Sequence, residues 1–402
     1  MARTILDIHV LQTVPPSNLN RDDTGQPKTA VYGGVRRARV SSQAWKRATR
    51  RAFDDLLDPS HLGVRSKKLV DELAGRITAA EPSIERAAAW KVAAETLQTA
   101  TNSKLEVPRR KKDADGEAEE TAPESSYLMF LSRRQLDALA ALTLEGTKGT
   151  DDVTALKAFL KAKENKARAR ALVNTGHSVD IALFGRMVAD ATDLNVEAST
   201  QVAHALSVHA VDNESDYYTA VDDNNTDAEK GAGMIGTVEF NSATLYRYAA
   251  LDVDQLHANL GAGLREDEAP GTPTRRAVEA FIEGFIASLP TGKINTFGNT
   301  TLPDAVIVKL RTKRPVSFVA AFEKPVAQDP ENGGFLAPSC ERLARFVPDL
   351  EEKFGIDDEG GWVLRVGSGT RALADLGTEV GLRELIDAVG AAVAERLAPE
   401  AA

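Results

Sequence analysis

The sequence SSQAWKRATRRAF, residues 41–53, predicts an amphipathic helix with one strongly basic face, which Ser41 or Ser42 can cap. At 100° per residue, four cations fall within one arc of about 140°, and Trp45 lies opposite with three alanines. These cations, the basic ridge, are Lys46, Arg47, Arg50 and Arg51. An ordinary surface helix mixes Glu with Lys, but residues 36–52 contain no acid. We therefore expect the basic ridge to bind phosphate groups.

The strand that precedes this helix offers it a surface on which to pack. Residues 4–11, TILDIHVL, alternate so that Leu6, Ile8 and Val10 share one face. The small alanines of the helix would let it lie close to that face. Between strand and helix, residues 21–40 predict a loop and a short strand, with a proline and a Gly-Gly pair as turn residues.

Helical patterns dominate residues 60–176 and predict an inserted helical subdomain. A polar, glycine-containing segment at 212–233 predicts a long loop. Beyond residue 53, the predicted helices are 67–77, 84–97, 133–144, 153–171, 196–208, 274–289, 340–346 and 382–397. The predicted later strands are 178–183, 237–248, 305–310 and 316–320. This order predicts an α+β fold, in which helices and a long loop interrupt an RRM-type or ferredoxin-like sheet domain.

Charge is distributed unevenly along the 402 residues, whose net charge is −10. Residues 1–53 carry ten Lys or Arg and three Asp, a balance of +7, so the remainder of the chain carries −17. A basic region on an acidic body is typical of a local binding site for a polyanion. The charge run alone leaves open the alternative of a solvated basic face without a ligand.

Cysteine content and hydropathy bear on the cellular compartment. The single cysteine, Cys340, excludes an internal disulfide or a cluster of thiolate zinc ligands, and we expect it to be buried. No apolar stretch has the length of a membrane helix, and residues 1–7 lack the apolar core of a signal peptide. We therefore expect a cytoplasmic protein without a membrane partner.

Other kinds of site have weaker support. The sequence GAGMIG at 231–236 matches G-x-G-x-x-G but lacks the strand before it and the helix after it that a dinucleotide site needs. The histidines show no metal-binding spacing, and His204, on the helix predicted at 196–208, is assigned to an ordinary helical or core position. Asp22, Asp23 and Asp180 could hold Mg²⁺ for phosphodiester cleavage, so a metal-dependent RNA endonuclease stays open as an alternative.

Several motifs keep one order between residue 8 and about residue 248. They are LNRDD at 19–23, GGVRRARVSSQ at 33–43, KR at 46–47, VDIALFGRM at 179–187, TAVDD at 219–223 and YRY at 246–248, with FEK at 322–324 as a weak extension. In this combination the chain resembles the CasC-type backbone subunit of the type I-E CRISPR Cascade complex. The C-terminal third matches poorly, and residues 108–123 look like a lineage-specific insertion that forms a mobile loop.

The resemblance implies a hand-like subunit with an RRM-like palm, helical fingers and a long thumb loop. The palm would comprise residues 1–59, 177–208 and 237–402, the fingers 60–176, and the thumb loop 209–236. It also implies an RNA-facing surface on the palm. The residues assigned to that surface are Asn20, Arg21, Lys28, Arg37, Ser41, Gln43, Lys46 and Arg50. Met187 and Tyr218 map to positions beside the base that the thumb displaces.

The resemblance further implies a set of partners. Copies of the chain would stack along a CRISPR guide RNA, assembled with the large subunit, the small subunit and the two subunits that cap the guide ends. Target DNA would pair with the displayed guide, while protein holds the backbone. Backbone subunits of this type are non-catalytic and need no cofactor, which sets this expectation against the endonuclease alternative.

Overall fold

The computed structural model describes residues 3–108, 121–188, 191–220, 234–261, 271–356 and 359–398. The chain forms two compact units. The sheet unit comprises Met1–Phe53, Thr200–Val253 and Val278–Arg396. The helical unit comprises Asp54–Ser199, Asp254–Ala277 and Leu397–Ala402.

Strands and helices alternate along the chain. The strands are β1 Ile5–Ser17, β2 Thr29–Tyr32, β3 Val35–Val40, β4 Gly63–Ser66, β5 Leu105–Glu106, β6 Glu124–Ser125, β7 Met129–Ser132, β8 Thr200–Val202, β9 Ala205–Ser207, β10 Glu214–Ala220, β11 Met234–Asp252, β12 Ala305–Arg311, β13 Gly360–Arg365 and β14 Thr378–Glu379. The α-helices are α1 Ser42–Leu56, α2 Leu69–Ala80, α3 Arg86–Thr101, α4 Arg133–Thr147, α5 Val153–Lys161, α6 Lys163–Asn174, α7 Val179–Phe184, α8 Val253–Leu260, α9 Thr272–Ala287, α10 Ile294–Phe297, α11 Leu336–Phe354 and α12 Leu382–Leu397. Short 3-10 helices lie at Pro59–His61, Thr192–Leu194, Val319–Phe322 and Ser368–Leu376.

β1 lies inside the mixed sheet of the sheet unit. The strand order is β14-β13-β12-β1-β11-β9-β3-β2, and β8 and β10 also pair with β11. β1 is antiparallel to both neighbours, so Ile8 lies opposite Ala249 on one side and Val308 on the other. Both faces of β1 are buried from Ile5 to Gln12, so the polar side chains of Asp7, His9 and Gln12 also lie in the interior. The α+β class predicted from sequence is confirmed.

The β2–β3 hairpin confirms the predicted Gly-Gly turn. Tyr32 pairs with Val35, so Gly33 and Gly34 form a two-residue turn in which both have positive φ, 61° and 79°. Such turns favour glycine because side chains are strained in this conformation. A Cβ on Gly33 would also lie 1.7 Å from the Glu323 carbonyl oxygen, so only glycine fits there.

The predicted thumb loop contains a strand, which corrects the prediction of an irregular segment. β10 pairs antiparallel with the start of β11, from Glu214 opposite Phe240 to Ala220 opposite Met234. The polar residues 214–219 are all half-buried or exposed, so no apolar alternation marked them as a strand. Residues 221–233 of the predicted loop lie outside the described residues.

The helical unit confirms most of the predicted inserted helices. Its apolar core comes from α2 to α6 and includes Leu73, Val92, Leu139 and Leu156. The single helix predicted at 153–171 is two, α5 and α6. Two small sheets, β4 with β7 and β5 with β6, were not predicted from sequence. Most of the mobile loop predicted at 108–123 lies outside the described residues.

Three predictions of local structure are wrong. Residues 178–183 were assigned to a strand but form α7, which is buried from Val179 to Leu183 and so has no polar face to show a helical period. The helix predicted at 196–208 is instead the short strands β8 and β9. The strand predicted at 316–320 is irregular chain followed by a 3-10 helix. Two C-terminal strands, β13 and β14, were missed.

Candidate nucleic-acid interface

Helix α1 presents the basic ridge on its outer face. Trp45, Thr49 and Phe53 are its buried residues, and they recur every four positions as a packed helix requires. Arg47 and Arg51 are exposed, and Lys46 and Arg50 are partly exposed. The first turn contains no acidic residue, and Gln43 in that turn is exposed. The predicted separation of a packed face from a cationic face is thus present.

The buried face of α1 rests on a buried guanidinium. The Arg247 side chain lies over the Trp45 ring, 3.7 Å from its centroid, and 4.7 Å from the Phe285 ring centroid. Arg247 Nη1 donates to Gln12 Oε1 at 2.6 Å, and Arg247 Nη2 donates to the Phe285 carbonyl oxygen. Burial lowers the pKa of Arg247 to about 9, which leaves it charged at neutral pH. This stack fixes Trp45, and with it the orientation of the basic ridge.

The loop before β2 brings three of the predicted RNA-binding residues together. The Asn20 side-chain oxygen accepts from the Ser41 backbone N–H at 2.9 Å, and the Asn20 carbonyl oxygen accepts from the Lys28 N–H at 2.9 Å. Ser41 Oγ in turn accepts from the Ala44 N–H at 3.3 Å, so Ser41 is the cap of α1. Asn20, Lys28 and Ser41 therefore adjoin the start of the basic ridge.

Asp22 shapes the same loop. Its Oδ1 accepts from the Thr24 hydroxyl at 2.7 Å and from the backbone N–H groups of Thr24 and Gln26 at 2.9 and 3.0 Å. These bonds, the hydroxyl of Thr24 first, lower the pKa of Asp22. Arg21 is exposed beside it and forms an isolated backbone bridge with Pro27. Asp22 thus holds a turn that displays Arg21.

A second loop of the sheet unit packs against this first one. A Cβ on Gly292 would lie 2.3 Å from the Leu19 carbonyl oxygen and 2.5 Å from that of Asn18, so glycine is required for the approach. The two loops line one open depression. Lys293, which follows, has a left-handed φ of 46°. This loop could not be predicted as part of the site, because Leu19, against which Gly292 packs, lies more than 270 residues earlier in the sequence.

Arg37 is buried, which corrects its assignment to the RNA-facing surface. Its Nη1 donates to the Ser207 carbonyl oxygen at 3.0 Å and its Nη2 to the Phe322 and Glu323 carbonyl oxygens at 2.9 and 3.1 Å. Nε donates to the carbonyl oxygen of Tyr32 at 3.2 Å. Arg37 therefore joins β2–β3, β9 and the 322–323 segment inside the sheet unit.

Two further residues of the sheet unit, Arg39 and His204, extend the polar surface beyond the residues that were predicted to bind RNA. Arg39 Nη1 donates to His204 Nδ1 at 3.3 Å, and Arg39 Nε donates to the Thr29 carbonyl oxygen at 3.0 Å. His204 lies in the turn between β8 and β9, not on the helix predicted there. The Arg39 N–H also donates to the Lys28 carbonyl oxygen at 2.9 Å. The sequence signal was present, since Arg39 lies in the acid-free run before α1.

Met187 is held in solvent by anchored neighbours. It is 85% exposed, whereas Arg186 is buried and donates to the Leu194 and Val173 carbonyl oxygens at 2.8 and 2.9 Å. Arg186 also exchanges backbone hydrogen bonds with Val196. These contacts lie within the helical unit. The exposure argues against the alternative that Met187 is a core residue, since a core methionine would be enclosed.

Tyr218 lies on the β10–β11 hairpin of the sheet unit. It is opposite Gly236, and its ring covers that glycine so closely that a Cβ on Gly236 would lie 2.4 Å from the ring. Tyr218 is 43% exposed, and Tyr217 on the other face of the strand is 64% exposed. Tyr218 therefore has one ring face packed and an exposed remainder that can contact a ligand.

Asp180, one of the acids considered for metal binding, accepts hydrogen bonds from neighbouring groups. Asp180 Oδ1 accepts from Ser178 Oγ at 2.6 Å and from the Gly63 and Ile181 N–H groups at 3.0 and 3.1 Å, inside the helical unit. Across the described ranges, no group of three or more His, Cys, Asp or Glu side chains is placed to hold a metal ion. Cys340 is buried as expected, and burial raises the pKa of its thiol to about 12.

Membrane and dinucleotide sites were also considered. In the described part of the chain, no helix has both the length and the apolar character needed to cross a bilayer. Of the G-x-G-x-x-G match, residues 231–233 lie outside the described residues and 234–236 begin strand β11.

Comparison with known proteins places the chain in a family. It matches the sequence model of the CT1975-like protein family over residues 6–388. A solved chain from a "CRISPR RNA-guided surveillance complex, pre-nicking" is 33% identical with a TM-score of 0.80, covering 97% of this chain and 100% of that chain. A chain from a "CRISPR RNA-guided surveillance complex" is 30% identical with a TM-score of 0.70, covering 96% and 99%. No curated protein sequence matches. Because the family match spans most of the chain, this protein belongs to the CT1975-like protein family.

Proposed function

We propose that this chain is a guide-RNA-binding subunit of a CRISPR RNA-guided surveillance complex. The observation that carries the proposal is the nearly end-to-end match, at 33% identity, to a chain of such a complex. The basic ridge of α1 supports it, because its four cations, which the acids Asp54 and Asp55 follow only in the last turn of the helix, can contact a phosphate backbone. Within this class, the sequence motifs favour the backbone subunit of type I-E Cascade, acting in the cytoplasm.

The sheet topology supports an RRM-like palm. In chain order, β1, α1, the β8–β9 pair, β11, α9 and β12 follow the pattern βαββαβ. Their order in the sheet is β12-β1-β11-β9, so the fourth strand is followed by the first, the third and the second. The same strand order is expected of a ferredoxin-like domain, which supports the proposed palm.

Binding through phosphates would leave the guide bases available. Copies of the chain, stacked along the guide with the other Cascade subunits, would hold its backbone while target DNA pairs with it. Met187 and Tyr218 would flank a displaced base, since an unbranched thioether moulds to a base face and a tyrosine ring stacks on it. Their exposure supports this role.

We further propose that the subunit is not an enzyme. The carboxylates of Asp22 and Asp180 accept hydrogen bonds from their own loops and helix starts, which gives each a structural role. The endonuclease alternative is tested by incubating pure protein with guide RNA in the presence of Mg²⁺ and then of a chelator. Cleavage that the chelator stops and that Asp22→Asn abolishes would contradict the proposal.

RNA content after purification tests the main proposal. The full chain is expressed with and without a CRISPR array, and the absorbance ratio and length of the bound RNA are measured. We expect protein with an array to retain RNA of uniform guide length and protein without one to carry heterogeneous RNA or none. Identical RNA profiles in the two preparations would contradict guide binding.

A further inference from the structure

The partly exposed guanidinium of Arg39, beside the predicted RNA surface, is held by a histidine ring nitrogen and a carbonyl oxygen. Arg39 Nη1 lies 3.3 Å from His204 Nδ1. Since a guanidinium can only donate, His204 must accept at Nδ1, and its ring is therefore neutral in this arrangement. Described carboxylates form no ion pair with Arg39, whose other guanidinium contact is the Thr29 carbonyl oxygen. Arg39 thus has donors left over for an anion.

Lys28 adds a second cation at the same place. Its backbone bonds both Asn20 and Arg39, so the three residues are held together by main-chain contacts at 2.9 Å. Partial burial, followed by the charges of Arg39 and Lys28, lowers the pKa of His204. These two cations are the charged groups that act on the imidazole. The surroundings of His204 are therefore positively charged and uncompensated.

This patch is continuous with the basic ridge. The Asn20 side chain accepts from the Ser41 N–H, and Ser41 caps α1, whose first turn has no acid. Arg39 is two residues before Ser41 on the strand that leads into the helix. A nucleic-acid backbone that follows the ridge can thus continue onto β3 without meeting a negative side chain of this helix turn.

We propose that Arg39, Lys28 and His204 form an additional phosphate-binding subsite on the guide-RNA path. The proposal rests on the proposed function. The guanidinium would turn its donors to the phosphate oxygens, and Lys28 would supply a point charge. Once Arg39 no longer donates to it, His204 gains a proton from solvent at Nδ1 and donates that N–H to the same phosphate.

Guide binding is therefore linked to proton uptake. In the free protein partial burial, and after it the two cations, keeps the pKa of His204 below its ordinary value, so the ring is neutral at pH 7. A bound phosphate offsets both cations and raises that pKa. Because the complex then holds more protons than the free protein, affinity for RNA rises as pH falls, by at most about tenfold per pH unit per subunit.

The test compares wild type with His204→Gln and Arg39→Ala. Binding of a labelled single-stranded RNA to the full chain is measured from pH 8 to pH 5.5 and at several salt concentrations. Glutamine can still accept from Arg39 but cannot gain a charge, so the ratio of wild-type to H204Q affinity isolates the proton. Lys313→Ala is the matched control, because it also removes one positive charge. Lys313 is exposed just after β12, which three strands separate from β3 in the sheet.

We expect the wild-type to H204Q affinity ratio to grow severalfold on acidification. Arg39→Ala should lower affinity by roughly fivefold at 0.1 M salt and reduce the slope of log affinity against log salt by about 0.7, whereas Lys313→Ala should change neither. Arg39→Lys should restore part of the slope. The subsite alone would be overturned if wild-type protein binds RNA but the two expected results fail. The failures are a wild-type to H204Q affinity ratio that does not change with pH, and a salt slope for Arg39→Ala equal to that of wild type. Wild-type protein that binds no RNA would overturn the proposed function as well.

Discussion

Two groups of arginines in the sheet unit have the same charge and opposite surroundings. Arg37 and Arg247 are fully buried and donate to carbonyl or amide oxygens from distant parts of the chain. Arg47 and Arg51 on α1 are exposed. The buried pair joins segments of the fold, and the exposed pair offers charge to a partner. A local count of cations therefore identifies a basic region but does not identify which of its cations face outward.

Removing a buried arginine is the change with the largest expected effect. Arg37→Met would leave four carbonyl acceptors without their donor, and each buried unsatisfied acceptor costs about 1–3 kcal/mol. We expect the free energy of unfolding to fall by about 3 kcal/mol or more in urea titration. Exposed Arg36 on the same strand gives the control, Arg36→Met, with little change. Normal stability of Arg37→Met with weakened RNA binding would restore Arg37 to the RNA-facing surface.

Exposed non-cationic residues extend the comparison to base contacts. The double change of Met187 and Tyr218 to Ala should lower the melting temperature only slightly, because Met187 is in solvent and Tyr218 packs on Gly236 of the hairpin. RNA assembly should weaken by about 1–3 kcal/mol for the stacked base, and chemical probing should show altered protection of guide positions. Tyr217→Ala is the matched control. A large drop in melting temperature with an unaltered probing pattern would show that both residues are structural.

The buried imidazole of His177 extends the comparison of buried and exposed ionisable side chains to the helical unit. Burial, and secondarily Arg186, lowers the pKa of His177 to about 4. The folded state keeps this ring neutral, while the unfolded chain takes up a proton below about pH 6.5, so stability falls as pH drops from 6.5 towards 4. We expect a loss of about 2 kcal/mol by pH 5, measured by denaturant unfolding. His177→Asn should reduce this loss, and an equal acid dependence in both chains would assign it to other groups.

Single changes in the basic ridge should have the smallest effects. Lys46→Ala or Arg50→Ala should lower RNA affinity about fivefold at 0.1 M salt, uniformly across sequences, with a salt slope smaller by about 0.7 each. The melting temperature should stay the same, in contrast to Arg37→Met. Lys313→Ala controls for net charge. A base-specific loss, or an unchanged salt slope, would place these side chains away from phosphates.

Helices that have one solvent-exposed face were predicted well from the sequence. α12 was predicted with its observed bounds, and α1 and α4 within a few residues, because their apolar positions recur at a helical period. In α4 the Ser132–Gln135 capping box also marks the start. The basic character of α1 was also visible in the sequence, since residues 36–52 carry several cations and no acid.

Long-range contacts explain most of what was missed. Arg37 is buried by Ser207 and Phe322, which lie 170 and 285 residues away in sequence, and no local pattern contains that information. His204 was assigned to a helix because β8 and β9 are too short to show alternation. Their strand character comes from pairing with β11. In β8 and β9 the strand conformation is therefore set by pairing with a strand that is distant in sequence, not by the local residue pattern.

The length of β11 has a mechanical consequence. It runs for 19 residues, about 60 Å if straight, from the hairpin paired with β10 to the middle of the sheet. Its final part carries Tyr246, Arg247 and Tyr248, which are clamped in the core. The hairpin is therefore a projecting arm whose base is buried in the sheet unit. A force applied to the hairpin near Tyr218 would be transmitted along the β11 backbone to Arg247. Arg247 stacks on Trp45, which lies beneath the basic ridge.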